Sequence, residues 1–443
     1  MSMIQLKDNN TSDRELSDLE LKLLSLIAGK SVKMLVEQNK GLWVFPQSVG
    51  DNGDEIGEQS IVEIFGRRLK SGNVVGFLGI DDVSVQIRSR FDSSKKQYFL
   101  HRMLEKVLGV NIVNMTTESD RESIGNYLIY IFPYMLKRAI RQGMFRAYRS
   151  FARNDDRVRG VIDIGRFIKC DIPFGGKITY RSREYTENNH INHLIRHVIE
   201  YIRSRNNIAY ILEKDEETRI AVRRIVDATN DYAYSQRRQI IMRNLRPVRH
   251  PYLTEITGLQ KLCVQILRQD KSSFGKSESR INGILFDAAW LWEEYLAAIM
   301  PSNVAHPRNK TGENAWFLYK DRRVKCYPDF VGSAFIADAK YKYGENGVLR
   351  EDRYQVISYL HVMEKERGIL IYPTPNSAVS NRYEKEGTLA GMGGEIGIYC
   401  FGVPQEMPDY ESFSNAIEKS DEELRGCIGR MAKKCDDAKW SIR

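Results

Sequence analysis

The chain is short of the residues that would place it in several functional classes. Its six cysteines, Cys170, Cys263, Cys326, Cys400, Cys427 and Cys435, form no CxxC pair and are irregularly spaced. That excludes a zinc ribbon and a four-cysteine iron–sulfur site. Scattered free thiols fit a reducing compartment. No apolar run approaches the ~20 residues needed to cross a bilayer. The opening Met-Ser-Met-Ile-Gln-Leu-Lys lacks the apolar core and cleavage site of an export signal. A cytoplasmic protein with no membrane role is therefore expected. A nucleotide-binding P-loop is also missing: the only Gly-Lys-Ser, at 275–277, has Asp270 where the loop needs glycine. Internal repeats and low-complexity tracts are absent too.

What is present is ordinary globular material. Of 443 residues, 42% are hydrophobic and 28% charged, enough for buried cores. At roughly 100–200 residues per domain, two or three domains are expected. The net charge of +9 is unevenly spread: residues 131–250 hold 25 Lys+Arg against 13 Asp+Glu, a surplus of 12, so the rest of the chain is net −3. Such a concentration suits a polyanion partner, because cations near phosphates release condensed counterions. An arginine-rich solvated helix surface is the plainer alternative.

Periodicity gives a coarse map. Residues 12–38 read as helix, with Ser12 and Glu15 at capping-box spacing and Leu16, Leu19, Leu23, Leu26 and Ile27 on one face. Residues 42–91 read as strands. Val83, Val85 and Ile87 alternate with Ser84, Gln86 and Arg88, and residues 66–73 read as a polar turn or hairpin tip. Residues 97–150 return to helix, a short β-like element follows at 158–164, and 185–245 read as helices. The polar stretch 269–279 reads as a linker. Beyond it come a helix at 283–300, strands near 315–319, 325–331 and 334–339, a helix at 351–366, strands near 368–372 and 396–401, and a charged helix at 410–438. That alternation implies an α/β domain.

The chemistry concentrates in this last part. Pro328–Asp329–Phe330 is followed by Phe335–Ile336–Ala337–Asp338–Ala339–Lys340. In a hairpin the two aspartates converge. Two carboxylates with a backbone carbonyl such as that of Ala339 suit Mg²⁺, a hard ion that keeps several waters. Lys340 shares a strand face with Asp338 and could orient a water or neutralise charge on a phosphate. The alternative is a charged surface hairpin, although the apolar Phe335–Ala337 run makes the strand buried, and two charges at its end then need a reason. Glu293 or Glu294, on an apolar helix, could add a third carboxylate. Gln355 and Tyr359 lie on one helix face at i and i+4 and could line the same cleft.

Taken in order, Glu293, Pro328–Asp329, Asp338–Ala339–Lys340 and Gln355 with Tyr359 resemble the PD-(D/E)xK nuclease superfamily, nearest the branch that includes RecB-type nucleases. Arg157–Val158–Arg159–Gly160–Val161–Ile162–Asp163 and residues 183–192 (Arg-Glu-Tyr-Thr-Glu-Asn-Asn-His-Ile-Asn) are similar to the McrC family of McrBC-type restriction systems. Gly76–Phe77–Leu78–Gly79 and Ile87–Arg88–Ser89–Arg90–Phe91 also resemble that family. The likeness covers most of residues 60–375.

The resemblance implies three parts: a mixed α/β N-terminal domain over 1–150 that docks an AAA+ partner, a basic, mainly helical middle region over 151–270, and a restriction-endonuclease-like domain over 280–443 with a helical extension. It implies a DNA endonuclease with Asp329, Asp338, Lys340, Glu293, Gln355 and Tyr359 in the site. Mg²⁺, with Mn²⁺ as the alternative, would sit on Asp329, Asp338, Ala339 and Glu293. It further implies a McrB-like AAA+ GTPase as partner and double-stranded, modified DNA as substrate, with residues 66–73 a candidate docking element. Two rival readings stay open: a non-catalytic regulator of the motor, and a stand-alone nuclease.

Several other groups are weighed as structural. His190, His193 and His197 lie near one helix face without a cysteine. Trp290, Trp292 and Trp316 read as core. Arg223–Arg224 and Arg237–Arg238 read equally as phosphate contacts or solvated charges.

Overall fold

A computed structural model describes residues 2–39, 41–46, 57–92, 96–108, 120–205, 208–269, 281–307, 316–344, 347–391 and 393–438. The chain divides into two compact units. One joins Met1–Asp120 to Glu278–Arg443, and the other is Arg121–Ser277.

The first unit contains two five-stranded sheets. In one, the strand order is Ser2–Lys7, Val83–Arg88, Val74–Ile80, Ile281–Asp287, Gly41–Phe45. The outer pairs are parallel and the inner ones antiparallel. Strand Val83–Arg88 has the alternation expected of it, with Val83, Val85 and Ile87 in the core. Strand Ile281–Asp287 corrects two expectations. Its apolar sequence suggests the start of a helix and its position the C-terminal domain, yet it completes the N-terminal sheet. Its run Ile284–Leu285–Phe286 is buried by strands on both sides, where near-continuous apolar sequence is normal.

The first helix is also displaced from its expected place. The capping box belongs to Ser17 and Glu20, not Ser12 and Glu15, and the helices are Asp18–Leu24 and Val32–Gln38. Ser12 is spent elsewhere: its hydroxyl donates to the Arg14 carbonyl and accepts from the Leu69 N–H. Leu69 lies in the hairpin Val62–Phe65/Arg68–Ser71. The polar stretch 66–73 is therefore half strand, with the turn confined to Gly66 and Arg67.

The second sheet runs Phe330–Val331, Phe335–Ala339, Arg367–Thr374, Glu395–Gly402, Arg382–Thr388. The stretch read as one strand at 325–331 is two, Lys325–Cys326 and Phe330–Val331, and Arg382–Thr388 was not expected. That strand is exposed, with no apolar alternation to mark it. Helix Arg350–Met363 covers the sheet through Val356, Tyr359, Leu360 and Met363, against Ile336 and Leu370. Gly368 permits the close approach, because a Cβ there would lie 2.2 Å from the Val356 Cγ1.

Helix Ala288–Ile299 starts at Asp287, whose Oδ1 accepts from the Ala289 and Trp290 N–H groups. Trp292 is wholly buried against Phe99 and Phe401, and removing such a side chain costs about 3–5 kcal/mol. Helix Tyr410–Ala438 is tied down by Asp421, which accepts from the Tyr295 hydroxyl at 2.5 Å and from Arg102 at 3.0 Å.

The second unit is mainly helical, but it also carries a small sheet. Its three-stranded sheet has the order Ala147–Asp155, Ile178–Thr186, Val161–Ile162. A boundary at residue 150 would cut the first of these strands. Alternating aromatic and arginine residues there resemble a helix stripe, but nine consecutive residues pair with Ile178–Thr186. Helices such as His190–Arg203, Glu216–Ala228 and Glu255–Gln269 form the remainder. The polar linker read at 269–279, with Asp270 and the Gly-Lys-Ser at 275–277, lies outside the described residues apart from Gln269.

Candidate active site

Strand register builds the acidic pair. Phe330 faces Ala337 and Val331 faces Ile336 across an antiparallel hairpin. One step outward sets Asp329 against Asp338, on the same face. The Ala339 N–H donates to Asp329 Oδ2 at 2.7 Å, fixing the first carboxylate to the second strand. Asp338 is 2% exposed, while Asp329 is half-buried.

Lys340 closes the centre. Its ammonium lies 2.5 Å from Asp338 Oδ2 and donates to Gln355 Oε1 at 2.7 Å. Gln355 in turn donates from Nε2 to the Tyr359 hydroxyl at 2.8 Å, and that hydroxyl donates to the Tyr327 carbonyl at 3.2 Å. The i, i+4 pair on helix Arg350–Met363 thus forms a relay from the loop before Asp329 to the lysine. Parallel pairing of Phe335–Ala339 with Arg367–Thr374 holds the lysine backbone, whose N–H donates to the Ile371 carbonyl at 2.9 Å.

Glu293, and not Glu294, is the helix acid that reaches this centre. Its charge acts on Asp329, and its Oε1 lies 3.8 Å from the His306 Nε2. Glu294 points about 100° further round the helix. His306 was not expected. Its Nδ1 donates to the Asp329 carbonyl at 2.8 Å and its ring stacks on Phe330. It lies in a loop, where no periodicity flags it. Asp352 reads in the sequence as a helix-opening acid; it is buried, with Lys342 Nζ at 2.6 Å from its Oδ2.

The electrostatics follow from enclosure and like charge. Loss of water pushes the Asp329 carboxyl well above the ordinary range, and Asp338 and Glu293 push it further. Burial also raises Asp338, against the pull of Lys340. Burial opposes the charge of Lys340, but Asp338, Asp329 and Asp352 together outweigh it and hold the ammonium above the usual lysine range. Four carboxylates, Glu293, Asp329, Asp338 and Asp352, therefore stand around two ammonium groups, Lys340 and Lys342. Among the described residues no three carboxylate, imidazole or thiol side chains already form a closed metal cage. The carboxylates brought closest by the hairpin are Asp329 and Asp338, and the charge of Glu293 acts on Asp329.

The residues weighed as structural mostly prove so. His193 Nε2 pairs with Asn188 Oδ1 at 2.7 Å and Asp231 Oδ1 at 3.1 Å. His197 packs on Tyr232, and burial lowers its pKa to about 4. Trp290 and Trp292 are core, but Trp316 is 42% exposed on the short strand Trp316–Phe317, contrary to expectation. Arg223, Arg224 and Arg238 are exposed. Arg237 is buried over Tyr201 and donates to the Leu267 carbonyl, so it is not a phosphate contact. Among the described residues, no helix is long and apolar enough to cross a membrane.

Fold and site together define a class: a mixed α/β protein in which two aspartates on facing strands and a lysine two residues on are gathered beneath one helix. The family described as McrBC 5-methylcytosine restriction system component matches residues 69–373, more than half of the chain. The chain belongs to that family, in keeping with the McrC resemblance of its middle motifs. No curated protein matches it. One solved structure, a refined half-complex from a tetradecameric assembly of Thermococcus gammatolerans McrB AAA+ hexamers with bound McrC, is similar at a TM-score of 0.51 and 15% identity, over 97% of this chain and 100% of that one. The cryo-EM structure of the Thermococcus gammatolerans McrBC complex gives a TM-score of 0.29 at 17% identity, covering 67% of this chain and 87% of that chain. The first supports a shared fold; the second is too loose to carry any argument.

Proposed function

We propose that this chain is the DNA-cleaving subunit of a McrBC-type restriction system, with a PD-(D/E)xK nuclease domain built on helix Ala288–Ile299 and the second sheet. The observation that carries the reading is the contact of Lys340 Nζ with Asp338 Oδ2 at 2.5 Å, with Asp329 held opposite by the hairpin. A surplus of carboxylates over ammonium groups in a phosphate-handling site needs a cation. The carboxylate pair suits Mg²⁺ or Mn²⁺, both of which take hard oxygen donors. Asp329 and Asp338 would hold the ion, with Glu293 and the Ala339 carbonyl as further donors. The ion would supply Lewis acidity to the scissile phosphodiester.

The chain's own residues do the remaining work. Lys340 presents a fixed positive charge where negative charge builds on the phosphate, in surroundings that exclude much of the water. Gln355 aims that charge by accepting from Lys340 Nζ, and Tyr359 anchors Gln355. Base recognition and motive force belong in this reading to a McrB-like AAA+ GTPase, the partner in the similar assembly. Modified double-stranded DNA, such as that carrying 5-methylcytosine, is the substrate, and the N-terminal domain with its hairpin around residues 66–73 is the docking element.

The test is cleavage of methylated and unmethylated plasmid in Mg²⁺ and GTP, with and without the McrB-type partner, by wild type and Asp338→Ala. Cutting that requires metal, partner and Asp338 supports the proposal. Equal cutting by both proteins sinks the site, and partner-independent cutting favours a stand-alone nuclease. Intact partner stimulation with no cutting favours a regulator.

A further inference from the structure

Lys342 and Asp352 lie beside this centre and have no part in the chemistry assigned to it. Asp352, 5% exposed, sits in the first turn of helix Arg350–Met363. Its carboxylate spans two ammonium groups, with Oδ1 3.7 Å from Lys340 Nζ and Oδ2 2.6 Å from Lys342 Nζ. The Tyr372 hydroxyl donates to Oδ2 at 3.3 Å. Lys342 is the more open of the two lysines, its side chain 33% exposed against 16% for Lys340. The backbones are coupled as well: the Lys342 N–H donates to the Lys340 carbonyl at 2.9 Å.

We infer that Lys342, braced by Asp352, is a second phosphate contact of the site, gripping the DNA backbone next to the phosphate that Lys340 faces; this rests on the nuclease reading above. An ammonium has three donors, and the Asp352 contact occupies one, leaving others for an incoming phosphate. A DNA strand approaching Glu293, Asp329 and Asp338 meets like charge, and a cation at the opening offsets it. Bracing by a buried carboxylate keeps a flexible side chain in one place, so little freedom is lost when DNA arrives. Were the pair only a surface ion pair, it would contribute little to stability and nothing to DNA binding.

Equilibrium binding of the full chain to a fluorescein-labelled duplex, in EDTA and over a series of salt concentrations, separates the two. Lys342→Ala is expected to bind about tenfold more weakly, the loss of one charge-assisted hydrogen bond. The slope of log affinity against log salt should fall by about one. Lys342→Arg should retain the wild-type slope. A Lys342→Ala slope equal to wild type, or no duplex binding by wild type, overturns the inference. Its failure is distinct from that of the nuclease reading, which falls instead if Asp338→Ala cleaves plasmid as wild type does.

Discussion

Around Asp338, four carboxylates and two ammonium groups stand within a few hydrogen bonds of one another, largely out of water. In the unit Arg121–Ser277, exposed arginines on and beside the sheet meet their acids near the surface: Arg146 with Glu187, Arg153 with Glu184, and Arg181 with the more covered Asp163. Enclosed charge has to be matched by a partner or shifted in protonation, and each group there has a defined neighbour. Solvated charge is cheap and individually dispensable. Those pairs are of the dispensable kind, whereas in the proposed function the few charges on the acidic hairpin carry the chemistry.

That contrast can be broken at its strong end first. Lys340→Ala or Asp338→Asn should lower the cleavage rate by about 10³-fold, the scale for losing a charge-stabilising group, with the melting temperature showing that the fold persists. Gln355→Ala touches only the aim of Lys340 and should cost about 10–100-fold in rate, as outer-sphere changes at metal centres do. Tyr359→Phe, one bond further away, should cost less.

Asp329 gives a pH-dependent test. Its folded pKa is raised, chiefly by burial. In EDTA its contribution to stability is present below the ordinary carboxylate range and is lost as pH rises toward the raised value. Metal-free protein should therefore melt lower at neutral than at mildly acidic pH. Asp329→Asn should flatten that dependence and melt higher than wild type at neutral pH in EDTA. A wild type and variant with identical pH profiles would show that the carboxyl is not strained. At the weak end, Arg153→Ala and Arg181→Ala should each change stability by no more than about 1 kcal/mol in denaturant titrations. A larger loss would mean that the exposed sheet is not merely solvated.

Motif order made the site legible because its residues sit at positions with a regular period. Asp329 and Asp338 face each other by strand alternation, and Gln355 and Tyr359 share a face by helix repeat. His306, Lys342 and Asp352 were missed because their placement depends on a loop, a turn after a strand end and helix docking, none of which has a local pattern. The fold was least legible where pairing is distant. Nothing near Ile281–Asp287 announces that its partners are Val74–Ile80 and Gly41–Phe45, and an apolar run of that length reads equally as helix. The strand Ala147–Asp155 was masked by its arginine and aromatic alternation, which only the distant Ile178–Thr186 resolves.

Mn²⁺ titration of the full chain by calorimetry, in two buffers of different ionisation enthalpy, tests directly whether Asp329 and Asp338 take a divalent cation. Wild type is expected to bind with proton release, because a carboxyl raised by burial and by its neighbour must give up its proton to the metal, and the Asp329→Asn/Asp338→Asn double variant is expected not to bind. Equal Mn²⁺ binding by the double variant and by wild type would contradict this expectation.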